Sequence, residues 1–338
     1  MKKLKHGGNL RQMAERYQID HGQWLDLSTG VNPYHYPIGD IPAVFFQHLP
    51  DSQEALLQAA RRYYGCQSLL ACSGSQQVIQ IMPRLIAPIR VALPDSGYQE
   101  HAYRWQLAGH TPCWYDGYSP ETLEALIVDE GVEVAVIINP NNPTTALISV
   151  EKILQWAGVM AERGGLLIVD EAFIDLTPVQ SVAPFADRAG LMVLRSVGKF
   201  FGLAGIRVGF VLAETALLRR VEQELSPWQV SGPAEYLMIE ALSDTPWQHA
   251  NSQAINESKE MLAALLRQHL VSRIDDGGLF LSCRLEHDAA LSLYEKLARR
   301  GIAIRWGVYN KRWAFVRFGL IRREDGANFL RLSQALAS

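Results

Sequence analysis

The segment Arg195-Ser196-Val197-Gly198-Lys199-Phe200-Phe201-Gly202-Leu203-Ala204-Gly205-Ile206-Arg207 sets a lysine among glycines directly after an apolar run. A desolvated ammonium is costly unless it is paired or gives up its proton. A lysine held neutral is a nucleophile toward an aldehyde, so Lys199 is a candidate for covalent carbonyl chemistry. Ser196 and Arg207 flank it, and a hydroxyl beside a guanidinium fork can hold a phosphate. Taken alone, the same lysine also fits an ordinary surface loop.

Three other segments carry chemistry that would complement such a lysine. Leu166-Leu167-Ile168-Val169-Asp170 ends an apolar run on a carboxylate, which needs a cation or donors if it is buried. The nitrogen of a protonated pyridine ring is one such partner, and an acid beside it lets the ring act as an electron sink. A cap on the next helix is the competing reading. In Asn139-Pro140-Asn141-Asn142-Pro143-Thr144, the flanking prolines hold Asn142's amide rigidly, ready to donate to a ring oxygen, although a plain strand-end turn reads the same way. Cys72-Ser73-Gly74-Ser75-Gln76 leads into an apolar helical run. Free N–H groups at a helix start can seat a phosphate, as a simple N-cap would also allow. Each segment is ambiguous alone, and the four in this order are specific together.

The elements that must position these residues follow from periodicity. Apolar strand-length runs are expected at 90–94, 133–138, 165–169, 191–194 and 208–211, with helical stretches such as 150–163 between them. Strands apolar throughout, alternating with helices, indicate an α/β fold whose large, mostly parallel sheet is covered on both faces. Asn142, Asp170 and Lys199 all follow strand ends, the edge where such sheets bind ligands. Beyond about residue 212 the pattern changes to helical stretches at 217–225, 236–242 and 257–270. Strand-like segments follow at 278–284, 303–306 and 313–318, so a smaller α+β lobe is expected.

Composition narrows the classes. A chain of 338 residues with 48% hydrophobic and 20% charged residues suits a globular protein of two lobes. The formal net charge of -3 provides no overall basic field for nucleic acid or anionic lipid. No run approaches the roughly 20 apolar residues of a membrane span. The basic start, Met1 to Gly8, lacks the apolar run of a secretory leader. The four cysteines show neither metal-ligand nor redox spacing. A cytoplasmic protein without a metal, a nucleic-acid partner or a membrane anchor is the expectation.

On these motifs the chain resembles the fold-type I pyridoxal-phosphate enzymes of the aminotransferase class I/II family. Within it, the histidinol-phosphate aminotransferase branch and its threonine-phosphate decarboxylase members of cobalamin biosynthesis are the most similar. The resemblance implies pyridoxal 5'-phosphate as cofactor, with Lys199 as its Schiff-base lysine, Asp170 as the pyridinium partner and Asn142 on the ring oxygen. Gly74, Ser75, Gln76, Ser196 and Arg207 would hold the cofactor phosphate, and His101 falls where the family stacks an aromatic ring. Arg317 falls where the family binds the substrate carboxylate. Asn32, Arg305, His6 and Gly7 would face a small phosphorylated amino-acid substrate. The implied organisation is an N-terminal arm over 1–30 that contributes to the substrate site, a large cofactor-binding domain over 31–235 and a small C-terminal domain over 236–338, in a homodimer.

Of the departures from the aminotransferase pattern, Phe173 and His101 favour the decarboxylase members. Phe173 and His101 stand where tyrosines are usual, and Thr145 stands where a glycine is usual. Leu49, ahead of Pro50-Asp51, replaces a tyrosine that reaches the neighbouring subunit's cofactor. The implied reaction is loss of carbon dioxide from L-threonine O-3-phosphate, with amino transfer on histidinol phosphate or a related amino acid as the alternative. A ligand sensor on the same scaffold is a third reading, disfavoured because Lys199 and Asp170 are both kept.

Overall fold

The structure is a computed structural model that describes residues 8–50 and 53–337. The chain divides into two compact units. One comprises His35–Asn142 and Ala146–Gln248; the other takes in the chain up to Tyr34, Pro143–Thr145 and everything from His249 onward. Among the described residues the strands, in chain order, are β1 (Leu25–Leu27), β2 (Leu69–Cys72), β3 (Arg90–Pro94), β4 (Thr111–Tyr115), β5 (Val134–Ile138), β6 (Leu166–Asp170), β7 (Leu191–Ser196), β8 (Gly209–Ala213), β9 (Asp275–Asp276), β10 (Phe280–Glu286), β11 (Ile302–Val308) and β12 (Trp313–Gly319).

The first unit is built on a seven-stranded sheet in the order β2-β8-β7-β6-β5-β3-β4. β4, β3, β5, β6 and β7 pair in parallel, whereas β8 runs antiparallel to both β7 and β2. The expected mostly parallel sheet is therefore present, with β8 as its one reversed strand. β5, β6 and β8 are buried along their whole length, as strands covered on both faces must be. The helix Val150–Ala161 shows how the cover is made. Ser149 accepts a hydrogen bond from the Lys152 N–H at 3.3 Å, capping the start. Ile153, Trp156, Ala157 and Met160 then fall on one face and are buried. Each large member of that stripe stabilises by about 1.5–3 kcal/mol.

Register decides what meets at the sheet's carboxyl edge. Ile138 is opposite Asp170, and Asp170 is opposite Leu194. Gly209 pairs with Ser196 on one side and with Cys72 on the other. Neighbouring strands lie about 4.8 Å apart. The ends of β2 and β7 and the start of β8 therefore converge, and Ser73-Gly74-Ser75, Ser196 and Arg207 share one corner. Because β8 is reversed, Arg207 reaches that corner from the residues preceding its strand.

The second unit holds a five-stranded sheet in the order β1-β11-β12-β10-β9. β1 and β11 are parallel and the remaining pairs antiparallel. The helix His287–Ala298 buries Ala290, Leu293 and Leu297, and the helix Gly326–Ala337 buries Phe329, Leu332 and Leu336. This is the α+β pattern expected of the C-terminal part. Among the described residues no helix is long and apolar enough to cross a membrane, and no cluster of side chains is suited to a metal ion.

Candidate active site

Asp170 ends β6 and is almost fully buried. Its Oδ2 lies 2.8 Å from His101 Nε2, and its Oδ1 accepts the Ala172 N–H at 3.1 Å. Its own carbonyl accepts the Asn139 N–H at 2.8 Å, tying the asparagine turn to the end of β6. That turn is pinned further by Asn141, whose amide donates to the Ser96 and Gly117 carbonyls at 2.7 and 2.9 Å. Asn141 is buried, which leaves the half-buried Asn142 as the neighbour that can meet a ligand.

Lys199 lies in the short helix Val197–Phe200, a turn of helix where a glycine-rich loop was expected. A side chain at Gly198 would come within 2.9 Å of the Ala204 backbone, so this glycine lets the helix pack closely. Lys199 Nζ sits 5.4 Å from the centre of the buried Phe173 ring.

The corner where β2, β7 and β8 converge has the form of an anion cradle. Gly74 has φ +74°, and a Cβ there would stand 2.7 Å from Arg207 Nη2. A Cβ on Gly209 would lie 2.5 Å from the Ser75 nitrogen. Both glycines let backbone and guanidinium approach one another. In the first turn of the helix Ser75–Ile81 the Gln77 N–H bonds the Gly74 carbonyl at 3.0 Å, and the Ser75 and Gln76 N–H groups precede any intrahelical carbonyl. With Arg207 and Ser196 they form a donor set suited to a phosphate. Gln76 departs from the simplest expectation. Its side chain accepts from Tyr98 OH at 2.9 Å and donates to Glu100 at 2.8 Å, so its main chain is what remains for an anion.

One buried cluster was not singled out by sequence reasoning. Arg195, one residue before Ser196, donates to Glu171 at 2.7 Å and to Asp175 at 2.6 Å. Glu171 directly follows Asp170 and also accepts from Ser181 Oγ and the Val182 N–H. Tyr63 OH donates to Asp175, and the guanidinium lies over the Tyr64 ring. Burial raises the Glu171 carboxyl above its usual range against the pull of Arg195. Arg195 is raised as well: burial opposes its charge, and Asp175 and Glu171 together outweigh that. The cluster braces β6 and β7 just where they deliver Asp170 and Lys199. A charged residue inside an apolar strand run was its only sequence signal.

The second unit carries the other group of expected residues. Arg317 on β12 is directly opposite Arg305 on β11. Arg317 is buried, lies over the Phe280 ring and donates to the Ser28 carbonyl at 2.8 Å. Burial lowers its pKa, the like charge of Arg305 adds to this, and Asp26 opposes it. Arg305 is lowered by burial too, with Tyr294 opposing. Two desolvated cations in cross-strand register make a receptor for anions. Ser28 also donates to Asp26 at 2.6 Å and accepts the Gly8 N–H at 3.0 Å, which anchors the segment after His6 and Gly7. Those two residues lie outside the described ones. Asn32 is fully buried, and its amide donates to the Tyr34 carbonyl and to Asn251, so the fold itself engages this side chain.

The residues of the first unit fit pyridoxal phosphate: a cradle that a Cβ would fill, a buried acid for a ring nitrogen and an amine set against an apolar ring. Comparison with known proteins agrees. The profile of aminotransferases of class I and II matches residues 43–330. A threonine-phosphate decarboxylase of Pseudomonas aeruginosa is 40% identical over 98% of this chain and 97% of that one. A Sinorhizobium threonine-phosphate decarboxylase is 38% identical over 99% and 98% of the two chains. Among solved structures, a histidinol-phosphate aminotransferase from Sinorhizobium meliloti in complex with pyridoxal-5'-phosphate superposes with a TM-score of 0.80 at 19% identity, covering 99% of this chain and 98% of that one. Sequence and architecture thus converge, and the chain belongs to the aminotransferase class I and II family.

Proposed function

We propose that this chain is a pyridoxal-phosphate-dependent decarboxylase that converts L-threonine O-3-phosphate to (R)-1-aminopropan-2-yl phosphate and carbon dioxide, a step of cobalamin biosynthesis. The observation that carries the reading is the Arg305–Arg317 pair, because a buried and a half-buried guanidinium in cross-strand register suit a substrate with both a carboxylate and a phosphate. Histidinol phosphate offers a phosphate without a carboxylate. The near full-length similarity to threonine-phosphate decarboxylases supports the same choice.

Bound pyridoxal phosphate supplies an electron sink for the pair left behind when a substrate bond to Cα breaks. The chain's residues do the rest. Lys199 holds the cofactor covalently through Nζ, and in turn delivers a proton to the substrate's Cα. Asp170 accepts the ring N–H, and Asn142 donates to the ring oxygen. Gly74, Ser75, Gln76, Ser196 and Arg207 hold the cofactor phosphate. Arg305 and Arg317 bind the two substrate anions. His6, Gly7 and Asn32 complete the substrate side. The enzyme acts as a cytoplasmic homodimer and binds neither nucleic acid nor membrane, the latter two supported by its slight negative charge.

The test is to incubate purified protein with the cofactor and threonine phosphate, measuring carbon dioxide and any conversion of a 2-oxo acid, for the native chain and Lys199→Ala. Release of carbon dioxide without amino transfer is expected, with a loss of about 10²–10⁴-fold or more in the variant. Amino transfer to a 2-oxo acid instead, or an unchanged rate in Lys199→Ala, would overturn the reading.

A further inference from the structure

The first residue beyond β1 ties together two groups on the expected substrate side. Leu27, at the end of β1, pairs with Ile304 on β11, and Arg305 on β11 pairs with Arg317 on β12. Ser28 therefore leaves the sheet level with the two arginines. It is 4% exposed, and its side chain and main chain are both engaged. The carbonyl accepts from Arg317 Nη2 at 2.8 Å, which fixes one edge of a planar guanidinium with five donors. The hydroxyl donates to Asp26 Oδ1 at 2.6 Å, and the Ser28 N–H donates to the same oxygen at 2.8 Å. With its proton turned toward Asp26, the hydroxyl presents a lone pair to the Gly8 N–H, 3.0 Å away. Close packing holds the segment there. A Cβ on Gly319, at the end of β12, would stand 2.4 Å from the Thr29 carbonyl oxygen.

Gly8 leads into the helix Leu10–Tyr17, whose Leu10, Met13 and Ala14 pack beside Trp24, Ala298 and Ala303. Arg16 of that helix bridges to Glu295 at 2.6 Å. Helix packing thus fixes the arm on one side of Gly8, and Ser28 fixes the residue from which Gly7 and His6 extend on the other. The chain cannot carry His6 more than about 7 Å from a fixed Gly8. We propose that Ser28 is a positioning residue for substrate binding: its hydroxyl registers the arm, its carbonyl registers Arg317, and the two address one substrate together. The proposal rests on the reading that His6 and Arg317 face the substrate. Alanine at this position keeps the carbonyl and lacks the hydroxyl, so its effect falls on the arm.

The experiment is a double-mutant cycle on the full chain with bound cofactor, measuring KM and kcat for threonine phosphate in the native protein, Ser28→Ala, His6→Ala and the double variant. Ser28→Ala is expected to raise KM about three- to tenfold, as loss of one hydrogen bond does, with kcat changed less than about twofold. In the His6→Ala background the same substitution should raise KM by less than about twofold, because the arm then has little left to deliver. Ser28→Cys, close in volume but a weak hydrogen-bonding group, should repeat the pattern and guards against a folding defect in the alanine variant. An unchanged KM in both Ser28→Ala and Ser28→Cys overturns the proposal. So do equal rises with the histidine present and absent, which a general loosening of the fold would give. His6→Ala separates the two levels of argument. If it alone leaves KM at the native value, the arm does not face the substrate and both readings fall; if it raises KM while the effect of Ser28 persists undiminished, only the role of Ser28 fails.

Discussion

Arg195→Met tests whether the buried cluster beneath the cofactor cradle holds the two strand ends together. The substitution keeps most of the apolar volume and deletes a guanidinium that is 3% exposed and bonded to Glu171 and Asp175 at 2.7 and 2.6 Å. Breaking a buried pair by removing one partner costs about 3–5 kcal/mol, because the remaining charge stays desolvated. In a domain of this size each kcal/mol lowers the melting temperature by about 2–4 °C, so a drop of roughly 6–20 °C is expected at about pH 8. Acid softens the effect. Glu171 has a raised folded-state pKa, so its contribution to stability is fully present in acid and is lost as pH rises through the folded value. Without Arg195 that pKa rises further, and the carboxyl takes up a proton instead of remaining a bare buried charge. The drop should therefore be smaller at about pH 5 than at about pH 8, and Glu171→Gln combined with Arg195→Met should recover part of it. Thermal melting followed by circular dichroism reads all of this. A change under about 2 °C at the higher pH, or equal drops at both, would refute the reasoning.

Arg305→Met removes a like charge directly opposite Arg317, a repulsion of about 0.2–1 kcal/mol. KM for threonine phosphate should rise about tenfold to a hundredfold from loss of a charged hydrogen-bond donor, which steady-state assays check. Gly74→Ala places a methyl 2.7 Å from Arg207 Nη2 at a φ of +74°, a strain of about 1–3 kcal/mol. Cofactor dissociation measured by dialysis should weaken about tenfold, with the bond to Lys199 still forming. Burial pushes the Cys66, Cys72 and Cys283 thiols up to about 12, whereas Cys113 is half-exposed. Iodoacetamide at about pH 8 should label Cys113 in the native protein and the other three only after unfolding, because the thiolate is the reactive form; peptide mass mapping reads the pattern.

Much of the scaffold was legible because its strands are short apolar runs with sharp ends. β3, β5, β6 and β7 begin and end within two residues of where the sequence places them. β4 was not legible. It is the edge strand of its sheet, and its Thr111-Pro112-Cys113-Trp114 lacks the apolar continuity of a strand covered on both faces; proline is tolerated there because an edge leaves N–H groups unpaired. The reversal of β8 was equally hidden, since an apolar run marks a strand without giving its direction. Residue types, read with the family resemblance, suggested Asp170, Lys199, Arg207 and Arg317. They did not reveal that Gln76 spends its side chain on Tyr98 and Glu100, or that Asn32 is engaged by Asn251.

The sequence by itself determined which groups can do chemistry and which segments become strands, because ionisability and apolar periodicity are local properties of the chain. Only the tertiary structure decided who meets whom. His101 lies 69 positions from Asp170 and Glu171 lies 24 from Arg195, yet each pair is within hydrogen-bonding distance. A hydrogen bond or ion pair depends on tenths of an ångström and on the exclusion of water, and both are set by sheet register and packing rather than by any neighbour along the chain.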